Sequence, residues 1–324
     1  MSSSHLFEEL ECDQPESQTF FKKLQLVDDW RNILKKGVFL TIIVIFAVLL
    51  TYFLARKSIC ETGLENIAGN YSCATGFTYI SHKCWKLITG PQNRTDADHA
   101  CFNHKGSTLF SIRNEQEFVK DQLVENLWTG LVCRRYEPKW CTWDVKSGTT
   151  ADYDNFAEGS SNNEYGDCIY YITTGTQAGK WASASCNQAL SFVCELPATI
   201  YDRTCEYNYN NHCYIPNLEW KLSSEAQSYC TSLDSNLASI QSANENRFAM
   251  SLFSPRTAIA IGGVAVSDNF VLWYDGTKTT FINIIEFRRG SCLFIRGDYG
   301  GHWIGYDCLY DKAVFLCKRN ISEK

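Results

Sequence analysis

The longest uninterrupted apolar run in the chain is GVFLTIIVIFAVLLTYFLA, residues 37–55, which carries no charged side chain. As a helix rising about 1.5 Å per residue it spans roughly 28 Å, one hydrocarbon core, and so predicts a transmembrane helix. It lies too far from Met1 for an ordinary cleaved leader, and the following ARKSIC has no small-x-small cleavage site, so it is expected to stay as a signal anchor. Beyond it the pattern shortens. Asn114-x-x-Glu117 and Ser242-x-x-Glu245 have the spacing of capping boxes. Each predicts a helix start, the first helix carrying Phe118, Leu123 and Leu127 and the second Phe248, Leu252 and Phe253. Ser224-x-x-Gln227 offers a start for a further helix carrying Cys230. Later stretches alternate or run apolar and end in Ser-Phe-Val-Cys (191–194) and Val-Phe-Leu-Cys (314–317), which read as strands. Early helices and late short strands predict an α+β fold.

The pattern occurs twice. Cys84 to Cys101 and Cys213 to Cys230 are both steps of 17; from there the chain runs 93 residues to Cys194 and 87 to Cys317. Cys168 to Cys186 is 18 and Cys292 to Cys308 is 16, while Ser111-Ile112 matches Ser239-Ile240. Such self-similarity predicts two copies of one unit in tandem. The expected organisation is a tail (1–36), the anchor (37–55), a stalk (56–72), a first domain (73–195), a linker (196–204), a second domain (205–318) and a short C-terminal tail (319–324).

Composition fixes the compartment. Of sixteen cysteines, fifteen follow the apolar run and none forms a CxxC pair, which points to disulfides in an oxidising space rather than zinc or redox sites. Lys22, Lys23, Arg31, Lys35 and Lys36 precede the run, whereas only Arg56 and Lys57 follow closely. The positive-inside rule then predicts a type II membrane protein with its C-terminal part outside the cell, the plasma membrane being the default. Sequons at Asn70, Asn93 and Asn320 lie on that side and predict a glycoprotein. A formal net charge of −6, with no long basic run, argues against nucleic acid as a partner. The tail has no tyrosine and the span no acid or base, so neither phosphotyrosine signalling nor pairing with a charged membrane helix is expected.

Further landmarks fall at matching places: Leu-Trp-Thr-Gly-Leu (127–131), Trp143-Asp144, Asp167-Cys168 and Lys180-Trp181 in the first copy. The second has Ile-Ala-Ile-Gly-Gly (259–263), Trp273-Tyr274-Asp275-Gly276 and His302-Trp303. With the cysteines, these residues make each copy resemble a C-type lectin-like domain of the long form, in a divergent version similar to those of large invertebrate families. The resemblance covers residues 73–318 and implies pairings of Cys73 with Cys84, Cys101 with Cys194, Cys168 with Cys186, Cys205 with Cys213, Cys230 with Cys317 and Cys292 with Cys308. Cys133 and Cys141 are left over and close in sequence, suiting a loop peculiar to the first copy. Cys60, in the stalk, is the odd one and suggests a disulfide-linked homodimer.

The resemblance also implies a site to look for: sugar-binding members hold calcium with a Glu-Pro-Asn or Gln-Pro-Asp loop and an Asn-Asp pair after the late tryptophan. Here the first copy reads Gly159-Ser160-Ser161-Asn162-Asn163, and Ala182-Ser183 follows Trp181; in the second, Ile304-Gly305 follows Trp303. Calcium seeks six to eight oxygen ligands, carboxylates among them, so no cofactor is expected at the usual place. Asp154, Glu164 and Asp167 are the acids from which an unusual calcium site could be built. The candidate ligand contacts are Tyr153, Asn162, Asn163, Glu164 and Tyr165, which mix aromatic faces with amides as sugar stacking and protein hot spots both do. Trp140 and Trp143 lie in the same loop region, Trp143 being expected to pack its base. Neither GxSxG nor HExxH occurs, and His99 and His104 are five apart rather than four, so an enzyme is not expected. The leading function is recognition of an extracellular glycan or protein without the usual calcium site. The alternatives are a calcium-dependent lectin using a non-standard site and a structural adhesion glycoprotein.

Overall fold

The computed structural model describes residues 45–49, 51, 71–114, 124–134, 141–144, 150–151, 153–158, 160, 165–286 and 289–321. Among them no helix is long and apolar enough to cross a membrane. Most of the predicted span 37–55 lies outside the described residues; within it, residues 45–49 and 51 are helical, with Ile45, Phe46, Val48 and Leu49 exposed. Cys60, Asn70 and residues 115–123 of the helix expected to start at Asn114, Phe118 and Leu123 among them, also fall outside the described residues. The chain divides into two compact units, Met1–Gly69 and Asn70–Lys324, and the second holds every strand among the described residues.

That second unit contains two lobes built on one strand path. In the first lobe a hairpin of β2 (Thr78–Ile80) and β3 (Lys83–Gln92) leads into helix α1 (Arg94–Asn103), then β4 (Thr108–Leu109), β5 (Asn126–Val132), β6 (Thr142–Trp143), β7 (Cys168–Ile172), β8 (Trp181–Ala184) and β9 (Leu190–Pro197). The sheet order is β2-β3-β9-β5-β7-β8, with β5 and β9 parallel and the other neighbours antiparallel. The second lobe has β11 (Tyr207–Tyr209), β12 (His212–Lys221), α2 (Ser223–Thr231), β13 (Asn236–Leu237), α3 (Ala243–Ser251), β14 (Ala258–Ser267), β15 (Phe270–Trp273), β16 (Ile284–Glu286), β17 (Cys292–Arg296), β18 (His302–Tyr306) and β19 (Ala313–Asn320). Its order β11-β12-β19-β14-β17-β18-β16 repeats the first and adds β16 at the edge; β14 with β19 is again parallel, and so is β16 with β18. The short strands β4 and β13 add to β9 and β19, and β6 and β15 add to β5 and β14.

Among the described residues seven disulfides close: Cys73–Cys84, Cys101–Cys194, Cys133–Cys141, Cys168–Cys186, Cys205–Cys213, Cys230–Cys317 and Cys292–Cys308. The two longest loops, of 93 and 87 residues, tie a helix to the last strand of each lobe. Loops of that length gain most from cross-linking, about 4–5 kcal/mol in the chain-entropy picture. The glycines of the Thr-Gly-Leu and Ile-Gly-Gly landmarks have a steric cause. A Cβ on Gly130 would sit 3.0 Å from the Leu109 carbonyl, and one on Gly262 would sit 2.3 Å from that of Leu237, so these strands cross β4 and β13 only without a side chain.

Three helix expectations need correction. Leu127 lies in β5 with its side chain fully buried, not on a helix: Asn126–Val132 pairs with both β7 and β9. Ser224 does not cap α2. The cap is Leu222, whose backbone N–H donates to Glu225 Oε2 at 3.0 Å, and Ser224 sits inside the first turn. Ser242 does cap α3, accepting from Glu245 N at 3.1 Å, but the Glu245 carboxylate does not return to Ser242. It accepts instead from Gln241 N, the Tyr214 hydroxyl (2.6 Å) and Lys318 Nζ (2.5 Å), because the residue is buried under β12 and β19.

The lobes meet in a continuous junction. Strand β1 (Tyr71–Ser72) pairs with β10 (Thr199–Ile200), so the segment entering the first lobe and the linker leaving it form one small sheet. The Asn211 side chain accepts from Ile200 N, while Asn211 N donates to the Thr199 hydroxyl. Cys84 and Leu196 of the first lobe share an apolar cluster with Tyr209, Tyr214, Ile240 and Phe248 of the second. Gly106, at φ +66°, sits so close to α3 that a Cβ would fall 2.7 Å from the Phe248 Cα.

Candidate functional site

The late tryptophan is the hub of each lobe's loop face. Trp181 opens β8 fully buried, with Trp143, Tyr153 and Phe156 meeting its ring edge-on at 5.7, 5.5 and 5.6 Å. Trp303 does the same in the second lobe with Trp273 (5.6 Å) and Phe281 (5.4 Å). Such T-shaped contacts hold the loop between β6 and β7 against the sheet. Backbone bonds reinforce it, since Trp181 N donates to Asn155 O and Ala157 N to Trp181 O. Trp143 is thus part of the core, with Arg113 placed over its ring at 5.6 Å.

Two of the five candidate contacts are described. Tyr153 is half-buried against Trp181, so its ring shapes the loop from beneath. Tyr165 is 67% exposed and projects from the loop end, its N–H donating to the Ser183 hydroxyl at 3.1 Å. Gly166 fixes that geometry: at φ +147° a Cβ would lie 2.2 Å from the Ala184 carbonyl, and Gly290 meets Tyr306 in the same way in the other lobe. Asn162, Asn163 and Glu164 lie outside the described residues, as does Trp140.

The positions after the late tryptophans are closed to solvent and carry no charge. Ala182, Ser183 and Ile304 are all buried, lying in β8 and β18. Asp154 is exposed and accepts from Phe156 N; the Asp167 carbonyl accepts from Cys133 N. Among the described residues no group of three or more His, Cys, Asp or Glu side chains could hold a metal ion. His99 lies on α1 and His104 is its C-cap; His302 is exposed beside buried Trp303.

The carboxylate beside Trp143 is unusual. Asp144 is ion-paired with Arg94 in the first turn of α1, and neither Asp144 Oδ2 nor Arg94 Nε has a further partner. Burial pushes its carboxyl up to about 6, against the opposing pull of Arg94. The pair ties the loop base to α1, next to the ion pair of Asp98 with Arg247 across the lobe junction.

A second surface escaped sequence reasoning. On the β14–β15 hairpin, Val271 and Trp273 point inward, while Phe270 (49%), Leu272 (55%), Tyr274 (41%) and Val266 (54%) are exposed. The run Phe270-Val-Leu-Trp-Tyr274 held the signal: a strand apolar at every position has either two buried faces or one uncovered apolar face.

Comparison with known proteins agrees with these landmarks. The family model described as "Lectin C-type domain" matches residues 91–196. C-type lectin domain-containing protein 38 of Caenorhabditis elegans is 47% identical over 261 residues, covering 77% of this chain and 68% of the relative. C-type mannose receptor 2 of Rattus norvegicus is 23% identical over 273 residues, and this chain spans only 18% of that receptor's length. Among solved structures, the mouse scavenger receptor C-type lectin carbohydrate-recognition domain is 27% identical, with 39% of this chain and 96% of that one covered at a TM-score of 0.33. With nearly half its residues shared with one such relative over most of its length, and a matching domain model across Trp128, Trp143 and Trp181, the chain belongs to the C-type lectin domain family.

Proposed function

We propose that the protein is a cell-surface recognition receptor of the C-type lectin type, which binds an extracellular glycan or protein through neutral groups rather than through a bound calcium ion. One observation carries the reading: the residues that follow both late tryptophans are buried alanine, serine, isoleucine and glycine, with no carboxylate among them. Calcium there would lack the charged oxygens it requires. Recognition then falls to the loop face around Tyr165, with Asn162, Asn163 and Glu164 beside it in sequence and Tyr153 setting the loop's shape. The same reading takes each lobe as one lectin-like domain, 73–195 and 205–318, carried outside the cell by a signal anchor at 37–55. It includes glycans at Asn70, Asn93 and Asn320 and a dimer linked through Cys60. Catalysis has no part in this reading, the chain carrying neither GxSxG nor HExxH.

The test is a glycan array probed with the full chain, in calcium and again in chelator. Binding that survives the chelator and falls on Tyr165→Ala supports the reading, whereas binding abolished by the chelator overturns it. The uncharged stripe of Phe270, Leu272 and Tyr274 favours a second reading, a protein ligand on the second lobe. In that case the array stays blank, and Leu272→Asp weakens binding to cells that display the partner.

A further inference from the structure

A pocket of about 250 Å³ opens at the junction of the lobes, away from both loop faces. The first lobe contributes Lys83, Thr108 and Glu195 to its wall; the second contributes Tyr209, Asn210 and Asn244. Two features distinguish it from an incidental crevice. Tyr209 is 94% buried, being only 6% exposed, and is stacked on Phe248 at 4.2 Å; its hydroxyl makes no hydrogen bond among the described residues, yet the side chain lines the pocket. Asn244, in the first turn of α3, has its Oδ1 buried without a partner. An unpaired buried polar atom is costly, so a donor that reaches it from the pocket is favoured.

The charged groups on the wall are already used. Lys83 donates to the Ser111 carbonyl at 2.8 Å and lies 3.4 Å from Glu195. Glu195 also accepts from Trp85 Nε1, Ser111 N and the Ser111 hydroxyl. A charged ligand would have to break these contacts and would meet a wall of near-zero net charge. The uncharged groups on the wall are a phenolic hydroxyl, two amides, the Thr108 and Ser242 hydroxyls and the His82 ring, above the apolar surface of Leu196 and Pro197. That set suits a molecule which both donates and accepts without carrying charge. The volume is below the roughly 300–1,000 Å³ of pockets for drug-sized ligands, so only a small molecule or one terminal residue fits.

We propose that this junction pocket binds a small uncharged polyhydroxyl group, either a free polyol or a single terminal sugar ring, held by Tyr209 and Asn244. Because both lobes supply the wall, occupancy also bridges them. The site is separate from the loop faces and needs no metal.

The experiment is saturation-transfer NMR on the full chain with myo-inositol and, separately, methyl β-glucoside at millimolar concentration, in chelator. The expected result is transfer to at least one probe, with affinity falling about tenfold in Tyr209→Phe and in Asn244→Leu. Transfer to inositol points to a free polyol, and transfer to the glucoside alone to a terminal sugar. Tyr209→Phe keeps the ring stacked on Phe248 and removes only an unpaired hydroxyl, so its thermal midpoint stays that of the parent. No transfer to either probe overturns the proposal, as does transfer that survives both variants. Transfer lost in Tyr165→Ala but kept in Tyr209→Phe assigns the binding to the loop face and also overturns it, while leaving the loop-face reading intact.

Discussion

Arg247 is the single polar side chain on which the lobe junction leans most. It leaves α3 in the second lobe and donates from Nη1 and Nη2 to the two Asp98 carboxylate oxygens at 3.2 and 2.9 Å. It also donates to the Asp98 carbonyl (2.8 Å) and, through Nε, to the Ser107 carbonyl (2.9 Å), while lying over the Phe102 ring at 5.1 Å. The Arg247→Ala variant removes all four bonds and leaves Asp98 without its counter-charge. Hydrogen bonds to charged groups contribute about 1.5–3 kcal/mol each when enclosed. Here the two side chains are 14% and 26% exposed, so solvent screens part of that. The expected loss is about 2–3 kcal/mol, which at a urea m-value of about 2–3 kcal/mol/M lowers the unfolding midpoint by about 1 M. Tryptophan fluorescence reads the transition, since Trp128 and Trp181 report the first lobe and Trp273 and Trp303 the second. Arg247→Lys keeps the charge but loses the fork, and should recover less than half the loss. A midpoint unchanged in Arg247→Ala would refute the idea that this contact holds the lobes.

Two further predictions concern buried charge. Glu245→Ala strands Lys318, its partner at 2.5 Å with both side chains only 8% exposed, and should cost about 3–5 kcal/mol in chemical denaturation; a loss under about 1 kcal/mol would contradict the pairing. Asp144 has its carboxyl raised from 3.8 to about 6 in the folded chain, so the stability it contributes is present below pH 4 and is lost as pH rises through 6. Stability measured from pH 4 to 7 should therefore fall by about 2 kcal/mol more in the parent than in Asp144→Asn, and parallel profiles would refute the assignment.

The repeat was legible in the sequence because it rests on cysteine spacing, which packing does not override, and the disulfide frame because the family resemblance implies its pairings. The two corrected caps and the placement of Leu127 were not, for a common reason: a capping box is a local signal, and tertiary contacts outbid it. Glu245 has the right spacing to close a box with Ser242, yet a buried Tyr214 hydroxyl and Lys318 ammonium offer it stronger partners. Leu127 continues the helical spacing of Phe118 and Leu123, but Trp128-Thr-Gly-Leu131 follows at once, and only a strand can carry Gly130 past Leu109. Tyr153 was legible as a functional candidate by type and by loop position alone; its contact with Trp181 is set by the fold. The junction pocket had no sequence signature, because its walls come from separate segments of both lobes, around Lys83, Thr108, Glu195, Tyr209 and Asn244, that only the folded junction brings together.

The junction also decides what kind of ligand two lobes can share. Were residues 196–204 a free linker, the lobes would sample many separations, and a divalent ligand would gain an effective concentration set by linker length. The linker here is consumed: Thr199 and Ile200 pair with Tyr71 and Ser72, and both are bonded to Asn211 at the turn of the second lobe's first hairpin. Gly106 pressed on Phe248 and Arg247 clamped on Asp98 remove the remaining rotation. With the entropy of ordering already spent in folding, a ligand whose two epitopes match the fixed spacing gains avidity at little further cost, and one whose epitopes do not match gains none. A rigid pair is therefore a filter for spacing, which a flexible pair of the same domains could not be.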